Sequence, residues 1–416
     1  MSGLVGEHLV ELKIADVEIH TWNRFSVTHG MMSASDAFDM AFDVASWDPR
    51  VEAEPLIRQL EGYADAFERV ELFVDGAKQL TGLLDKVKGR EGLEGPTINL
   101  VGRDMGGQVE DEDLPTSFNY MNVTVLELLD AVLGKYGVEV VVGNEDNRVV
   151  VATKKKKYQF AETDLEWAKK QKWWKKIIGK PKKTANSTLT AYTTVVQNRK
   201  INKEIRPKPD DTRMSFISRV LASQNLMGWF SADGKFIVGL PNYAQDPMFH
   251  VTRAVRIPGR PIPKQRTPDM NNVEKGEKES NPGQRYSAVY VYGRQGKTPI
   301  RAEAHDLYLE AKGVDRPWRH RDKKIDSVEE AQRVADRMLY ESQIRGTAFN
   351  YKLTGFGQGD HLFAFDTVFD VWDDSPAVYY HGQLYCTQLV FDYDKDSGPT
   401  TNVKLQPLGI IEVPTS

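Results

Sequence analysis

The stretch Lys352–Val371, "KLTGFGQGDHLFAFDTVFDV", decides between two kinds of protein. Its glycines at 355, 357 and 359 invite comparison with a phosphate-binding loop. Such a loop needs Gly-x-Gly-x-x-Gly between a strand and a helix, because the helix amino terminus supplies the amides that hold the phosphate. Here the glycines alternate instead. Phe363, Phe365, Thr367, Phe369 and Val371 then share one parity. Period two predicts a strand, so no helix amino terminus faces the loop. No Gly-Lys-Ser/Thr follows. The glycines are read as a chain reversal before a β-strand.

The same alternation runs through the opening of the chain. "HLVELKIADVEIH" (8–20) carries short alternating apolar groups, and "FSVTHG" follows. In "AFDMAFDVASW" (37–47), Phe38, Met40 and Phe42 face one way while Asp39 and Asp43 face the other. "RVELFVDGAKQLTGLLDKVKG" (69–89) reads as two strands joined at Asp75-Gly76, a strong hairpin signal. The far end is similar, with "AFNYKLTGFG", "FAFDTVFDVWDD", "VYYHGQLYCTQLVFDYD" and "TNVKLQPLGII".

Between these ends the period changes. Thr124 and Glu127 fit a capping box, and Val125, Leu128, Leu129 and Val132 follow at helical spacing. Gly137 suits the helix end, because glycine accepts a left-handed backbone. A strand over Val138–Val142, a turn at Asp146-Asn147 and a second short strand complete the unit. The order recurs in "DTRMSFISRVLASQNLMGWFSADGKFIVG" (211–239). There Asp211 or Thr212 is the cap, Phe216, Ile217, Val220 and Leu221 the apolar face, Gly228 the helix-end glycine, and Asp233-Gly234 the turn. "SVEEAQRVADRMLYESQIRG" is a later helix. Ser327 and Glu330 form its capping box, and Ala331, Val334, Met338 and Ser342 lie on one face. "RAVRIPGRPIPKQRTPDMNNVEKGEKESNPGQRY" (253–286) reads as an extended arm or flexible loop.

Composition bounds the function. The chain has 416 residues, enough for two to four domains at roughly 100–200 residues each. It is 40% hydrophobic and 27% charged, with a net charge of -4, which argues against a dedicated DNA-coating protein. A single cysteine, Cys386, excludes a disulfide scaffold within the chain and a cysteine zinc site. It sits in the apolar run "QLYCTQLVF", so it reads as a buried thiol. The amino terminus lacks the basic-then-apolar pattern of a signal peptide, and no run approaches the ~18 apolar residues of a membrane span.

Other motifs fail as chemistry. Asp392, Asp394 and Asp396 have calcium-like spacing, but the glycine falls at loop position seven and Val403 at position twelve. They read as a turn. The eight histidines form no His-x-x-x-His pair, and no Gly-x-Ser-x-Gly elbow occurs. The acidic pairs of "EDEDLP" and "VWDDSP" read as solvated surface. Residues 151–183 carry 12 lysines against three acids. A helix is expected over Ala161–Ile178, ended at Lys180-Pro181. Within it Lys169, Lys170, Lys172, Trp173, Trp174, Lys175 and Lys176 interleave aromatics with cations. Three readings stay open: a charged insertion at a subunit edge, a single-strand nucleic-acid site centred on Trp167–Lys183, or a membrane-surface helix.

The order of modules resembles the baseplate hub proteins of contractile-tailed phages, the Mu-like tail protein P group. "VELKIADVEIHTWNRFSVTHG" and "VELFVDGAKQLTGLLDKV" resemble the family's opening strands and hairpin. "INLVGRDMGGQVEDEDLP" resembles the exit from that domain, with Gly102, Arg103 and Asp104 in the Gly-Arg-Asp-like position. The two helix–strand modules and the terminal "TNVKLQPLG" match in order. The lysine-rich insertion and the arm "DTVFDVWDDSPAVYYHGQLYCTQLVFDYD" have no close match.

The resemblance implies a structural protein with no catalytic residue, cofactor or metal. Three copies would form a ring between the tail tube above and the central spike below, contacting other baseplate proteins. The ring would adapt sixfold to threefold symmetry and let DNA pass through its lumen. The protein would reside in the virion baseplate after assembly in the host cytoplasm. The expected fold is α+β and multidomain, with β-rich tube-like barrel or sheet domains and small helix–strand modules between them. The expected division is 1–110 (first tube-like domain), 111–208 (module with the lysine-rich insertion), 209–325 (second module and the Pro/Gly-rich segment) and 326–416 (helix and C-terminal β-rich domain). Structural and assembly candidates are the cap residues Thr124, Glu127, Ser327 and Glu330, and the apolar strand residues Phe363, Phe365, Phe369, Leu389 and Phe391. Competing classes are a tail-associated cell-wall hydrolase, which needs two opposed carboxylates in a groove, and the nucleic-acid module above.

Overall fold

The computed structural model describes residues 4–5, 8–31, 33–44, 48, 50, 52–92, 95–143, 200–201, 205–224, 226–239, 241, 245–255, 270–322 and 325–408. The lysine-rich stretch with its expected helix, and the turn at Asp146-Asn147 with the strand after it, lie outside these residues.

The opening segment contains β1 (Leu4–Val5), β2 (His8–Ile14), β3 (Val17–Ile19), β4 (Arg24–Gly30), β5 (Ala37–Asp43), α1 (Ala53–Asp65), β6 (Arg69–Val74), β7 (Ala77–Gly92), β8 (Gly95–Asp104) and α2 (Gly106–Asp111). A middle segment follows: β9 (Val123–Thr124), α3 (Val125–Leu133), β10 (Val140–Val142), β11 (Lys200–Ile201), α4 (Arg213–Ser223), β12 (Met227–Phe230) and β13 (Phe236–Gly239). The remainder holds β14 (Phe249–Arg253), β15 (Val273–Ser280), β16 (Ala288–Gln295), β17 (Thr298–His305), α5 (Leu307–Ala311), β18 (Pro317–Arg321) and α6 (Val328–Gly346). It ends with β19 (Thr347–Thr354), β20 (Gly357–Gln358), β21 (His361–Leu362), β22 (Val368–Asp373), β23 (Tyr380–Asp394) and β24 (Gly398–Pro407). The chain is α+β and β-rich, as its alternation predicts.

Both ends of the chain build one sheet of 14 strands, in the order β1-β2-β6-β7-β8-β5-β4-β23-β24-β19-β15. β3 adds to β2, and β22 bridges β23 to β14. The halves join where β4 pairs antiparallel with β23, from Gln388↔Gly30 to Asp394↔Arg24. Alternation sends one face of each strand inward. Phe38, Met40 and Phe42 on β5 are buried, and so are Leu389 and Phe391 on β23. The result is a core shared by both halves. Phe356 bridges them, with its ring 5.4 Å from that of Phe25 and 5.5 Å from that of Phe391. The β6–β7 hairpin closes through two residues, Asp75 at φ 51° and Gly76 at φ 76°. Positive φ at both positions matches the twist of paired strands.

The two helix–strand modules fuse into one body. α3 and α4 share a core, and β10 lies parallel to β13 in the sheet β10-β13-β12. Gly228 is in β12, not at the helix end. A Cβ there would sit 2.4 Å from the Phe236 ring. A third body, the sheet β17-β16-β18, packs against α6 through Val289, Val291, Ala331, Ala335 and Leu339.

Two strand expectations change. The run 361–371 is not one strand: Asp366 takes φ 56° and separates β21 from β22. The 253–286 segment is not all arm, because β15 pairs with β19 over Val273–Ser280.

Candidate assembly sites

The β4–β23 junction carries a polar cluster in an otherwise apolar interior. His29 is buried on β4, and its Nδ1 lies 2.9 Å from Asp36 Oδ2. The other Asp36 oxygen accepts the Gly30 N–H at 2.9 Å. The His29 ring is held between Phe365, stacked at 6.2 Å, and Phe391, edge-on at 6.1 Å. Leu389 stands opposite His29 in the strand register. Phe363 and Phe369 gather on Phe249, with ring centroids 5.1 Å from it in each case. All five apolar candidates therefore pack within one chain, and only Phe365 is half-exposed. Tyr385 on β23 donates to Asp366, whose backbone is left-handed.

Buried carboxylates also occur away from this junction, and those of "VWDDSP" lie at the far end of β23, where Asp373 pairs with Tyr380. Asp373 and Asp374 are buried, not solvated. Asp374 accepts from Trp372 Nε1 at 3.1 Å and lies 3.0 Å from His381 Nε2. Asp104 lies at the end of β8, where it accepts the Gly106 N–H at 2.8 Å. Burial, aided by the Asp36 charge, pushes the Asp104 carboxyl well above the ordinary carboxylate range. The composition hides these sites, because an aspartate after an apolar run looks the same whether it ends a strand in water or inside.

The Gly-Arg-Asp stretch ties the large sheet to the middle body. Arg103 donates to Asp85 at 2.7 Å and to Asp111 at 3.0 Å, clamping β7 and β8 to α2. Its hydrogen bonds to these carboxylates raise its already high pKa. Glu112 follows α2 and accepts from Lys135, Tyr136 and Arg213. Those bonds, Lys135 first, hold its carboxyl down at about 2.

The caps are local. Thr124 Oγ1 accepts the Glu127 N–H at 3.2 Å, and Glu127 returns a bond to the Thr124 N–H at 2.7 Å, so the box is reciprocal. At α6, Ser327 Oγ accepts the Glu330 N–H at 3.1 Å, but Glu330 reaches the Asp326 N–H, one residue further out. At α4 the cap is Thr212, while Asp211 pairs with Arg219. The basic candidates Lys169, Lys170, Lys172, Trp173, Trp174, Lys175 and Lys176 lie outside the described residues.

The chemistry available elsewhere is modest. An open pocket of about 350 Å³ is lined by Arg24, Lys352, Asp392 and Asp394 among others. Asp392 accepts from Asn402 Nδ2 at 2.5 Å, and Asp394 accepts the Asp396 N–H at 2.9 Å. These carboxylates hold the β23–β24 hairpin, with Gly398 at φ 76° completing the turn. Cys386 is fully buried, and that burial pushes its thiol pKa up. Among the described residues no group of three or more His, Cys, Asp or Glu is placed to hold a metal. No described helix is long and apolar enough to cross a membrane.

Two strands end the path of the large sheet. β15 and β1 end the large sheet, each paired on one side along its order. β15 is charged and exposed, reading "VEKGEKES", and β14 lies along the start of its other side, where Arg253 donates to the Glu274 carbonyl at 2.8 Å and the Asn272 N–H to the Thr252 carbonyl at 3.1 Å.

No protein-family model matches this sequence, and no curated protein matches it either. Solved structures do match in shape. A tail protein from Neisseria meningitidis MC58 superposes with a TM-score of 0.68 at 17% identity, over 97% of this chain and 97% of that one. The 43 kDa tail protein of prophage MuSo2 from Shewanella oneidensis gives 0.65 at 15% identity, over 96% of this chain and 99% of that one. An Escherichia coli component of the type VI secretion system, described as structurally similar to the T4 bacteriophage tail proteins gp27 and gp5, gives 0.50 at 10% identity over 96% of this chain and 77% of that one. At these identities the likeness concerns architecture, and the architecture of this chain is that of phage and prophage tail proteins.

Proposed function

We propose that the chain is a structural baseplate hub. Three copies close into a ring that joins the tail tube to the central spike, adapts sixfold to threefold symmetry and leaves an axial passage for DNA. The observation that carries this reading is likeness to two tail proteins over nearly the whole length of both partners. A shared motif would suggest a borrowed module. A shared full-length architecture supports a shared mechanical role. In this reading 1–110 and the strands of 326–416 supply two tube-like units, with the modules of 111–208 and 209–325 between them. The edge strand β1 finds a partner in the assembly, which hides its unpaired backbone groups. The work is mechanical and needs no catalytic residue, cofactor or metal. The protein belongs to the virion tail, contacts the spike, the tube and other baseplate proteins, and is assembled in the host cytoplasm.

The test is solution mass by light scattering, then particle imaging by electron microscopy. The expected outcome is a ring of three 47.1 kDa chains with an axial channel, alone or once spike and tube proteins are added. No closed ring in the presence of both partners would sink the reading.

A further inference from the structure

The small sheet β17-β16-β18 has α6 on one face only. Val289 and Val291 point at the helix, so Tyr290, Tyr292 and Arg294 point away. Register completes that outer face. Arg301, Tyr292 and Arg321 align in one row, and Glu303, Tyr290 and Arg319 in the next. All four arginines are exposed. Arg301 pairs with Glu303 at 2.9 Å. Among the described residues no carboxylate lies within ion-pair distance of Arg294, Arg319 or Arg321. The guanidinium carbons of Arg301 and Arg319 lie 4.8 Å and 5.8 Å from the centre of the Tyr290 ring.

That last arrangement selects the ligand. A single-strand nucleic-acid platform needs free ring faces for bases to stack on. Tyr290 already carries guanidinium groups. What the face presents is exposed planar forks, two of them propped on one aromatic ring, the geometry that suits carboxylates.

A matching surface exists on the same chain. Residues 1–111 carry 21 Asp and Glu against 10 Lys and Arg. At the end of α1, Phe67 is 64% exposed and held at φ 55° between the exposed acids Asp65 and Glu68. A large ring forced outward by a left-handed backbone, flanked by carboxylates, has the form of an interface anchor.

We propose that the arginine face of the small sheet docks on Phe67 and its flanking carboxylates in a second copy of this chain. The two patches differ, so the contact is head-to-tail and can close a ring. The inference rests on the self-assembly part of the reading above and names the surfaces that perform it.

The test compares full-length wild type with Arg319→Glu/Arg321→Glu, Phe67→Ser, Asp65→Lys/Glu68→Lys, and the four charge reversals combined. Light scattering across concentration reads association, and circular dichroism confirms folding. Each of the first three variants is expected to weaken self-association by about tenfold or more. The fourfold reversal, with both signs exchanged, is expected to restore it. Three results overturn the proposal: a wild type that stays monomeric at every concentration, association unchanged by the reversals, or an arginine face that binds a labelled oligothymidine while the mass stays put. The hub reading fails differently, by the absence of a closed ring when spike and tube proteins are present.

Discussion

At the residue scale, what distinguishes this chain is where its carboxylates go. Asp104 is the sharpest case, because burial raises its pKa and the folded state keeps a proton that the unfolded chain releases. The stabilising contribution of that proton is complete below the unfolded value of 3.8 and is lost as pH rises through the raised folded value. Asp104→Asn keeps an oxygen for the Gly106 N–H and removes the titration. The variant is expected to be more stable than wild type near neutral pH, with the gap narrowing as pH falls through the raised folded value and closed below about 4; denaturant midpoints at a series of pH values measure it. Glycine gives a second residue-scale test. A Cβ on Gly102 would lie 2.2 Å from the Leu83 carbonyl oxygen and 2.5 Å from the Phe38 ring. Gly102→Ala should cost about 1–3 kcal/mol or more through overpacking, read by urea unfolding. Gly102, Arg103 and Asp104 stood out in the sequence only through family resemblance; their separate tasks, close approach, clamp and buried acid, depend on neighbours in other strands.

At the element scale, the helices announce their starts. The reciprocal bonds of Thr124 and Glu127 satisfy amides that the first turn of α3 leaves unpaired. Thr124→Ala should cost about 1 kcal/mol, and Thr124→Ser should recover most of it, by thermal or chemical denaturation. Strands were legible as strands wherever alternation was clean, as on β5. They were not legible where a left-handed residue interrupts it. Asp366 breaks the alternating run from Phe363 to Phe369, yet both rings reach the same Phe249 cluster from different segments. The 253–286 segment misled for a related reason. Its Pro-rich part dominates the composition, while "VEKGEKES" becomes a strand because β19 offers it an edge.

At the scale of the whole molecule, β4 and β23 make the chain's two ends one body. Phe391 is fully buried there, between His29 and Phe356. Phe391→Ala should cost about 3–5 kcal/mol, and the loss should appear equally in probes placed in either half of the large sheet. A transition that splits into two would show that the halves fold independently. The smaller bodies have their own cores, so they need not share that stability. Amides of β18, an exposed edge strand, should exchange with solvent well before those of β23, which lies in the interior of the sheet.

The local elements were readable from residue order alone: period two at both ends, helical faces after Thr124, Thr212 and Ser327, and reversals at Asp75-Gly76 and Asp233-Gly234. Each of these is set by residues a few positions apart, through steric limits on φ, hydrogen bonds to free amides and alternation of side chains. That β4 joins β23, that two helix–strand modules share one core, and that Asp373 and Asp374 are buried emerges from long-range packing. Those outcomes depend on contacts such as Tyr385 with Met31, 354 positions apart. Alternation tells a strand which face to bury and says nothing about its partner. Partner choice belongs to packing among surfaces that the linear order does not bring together.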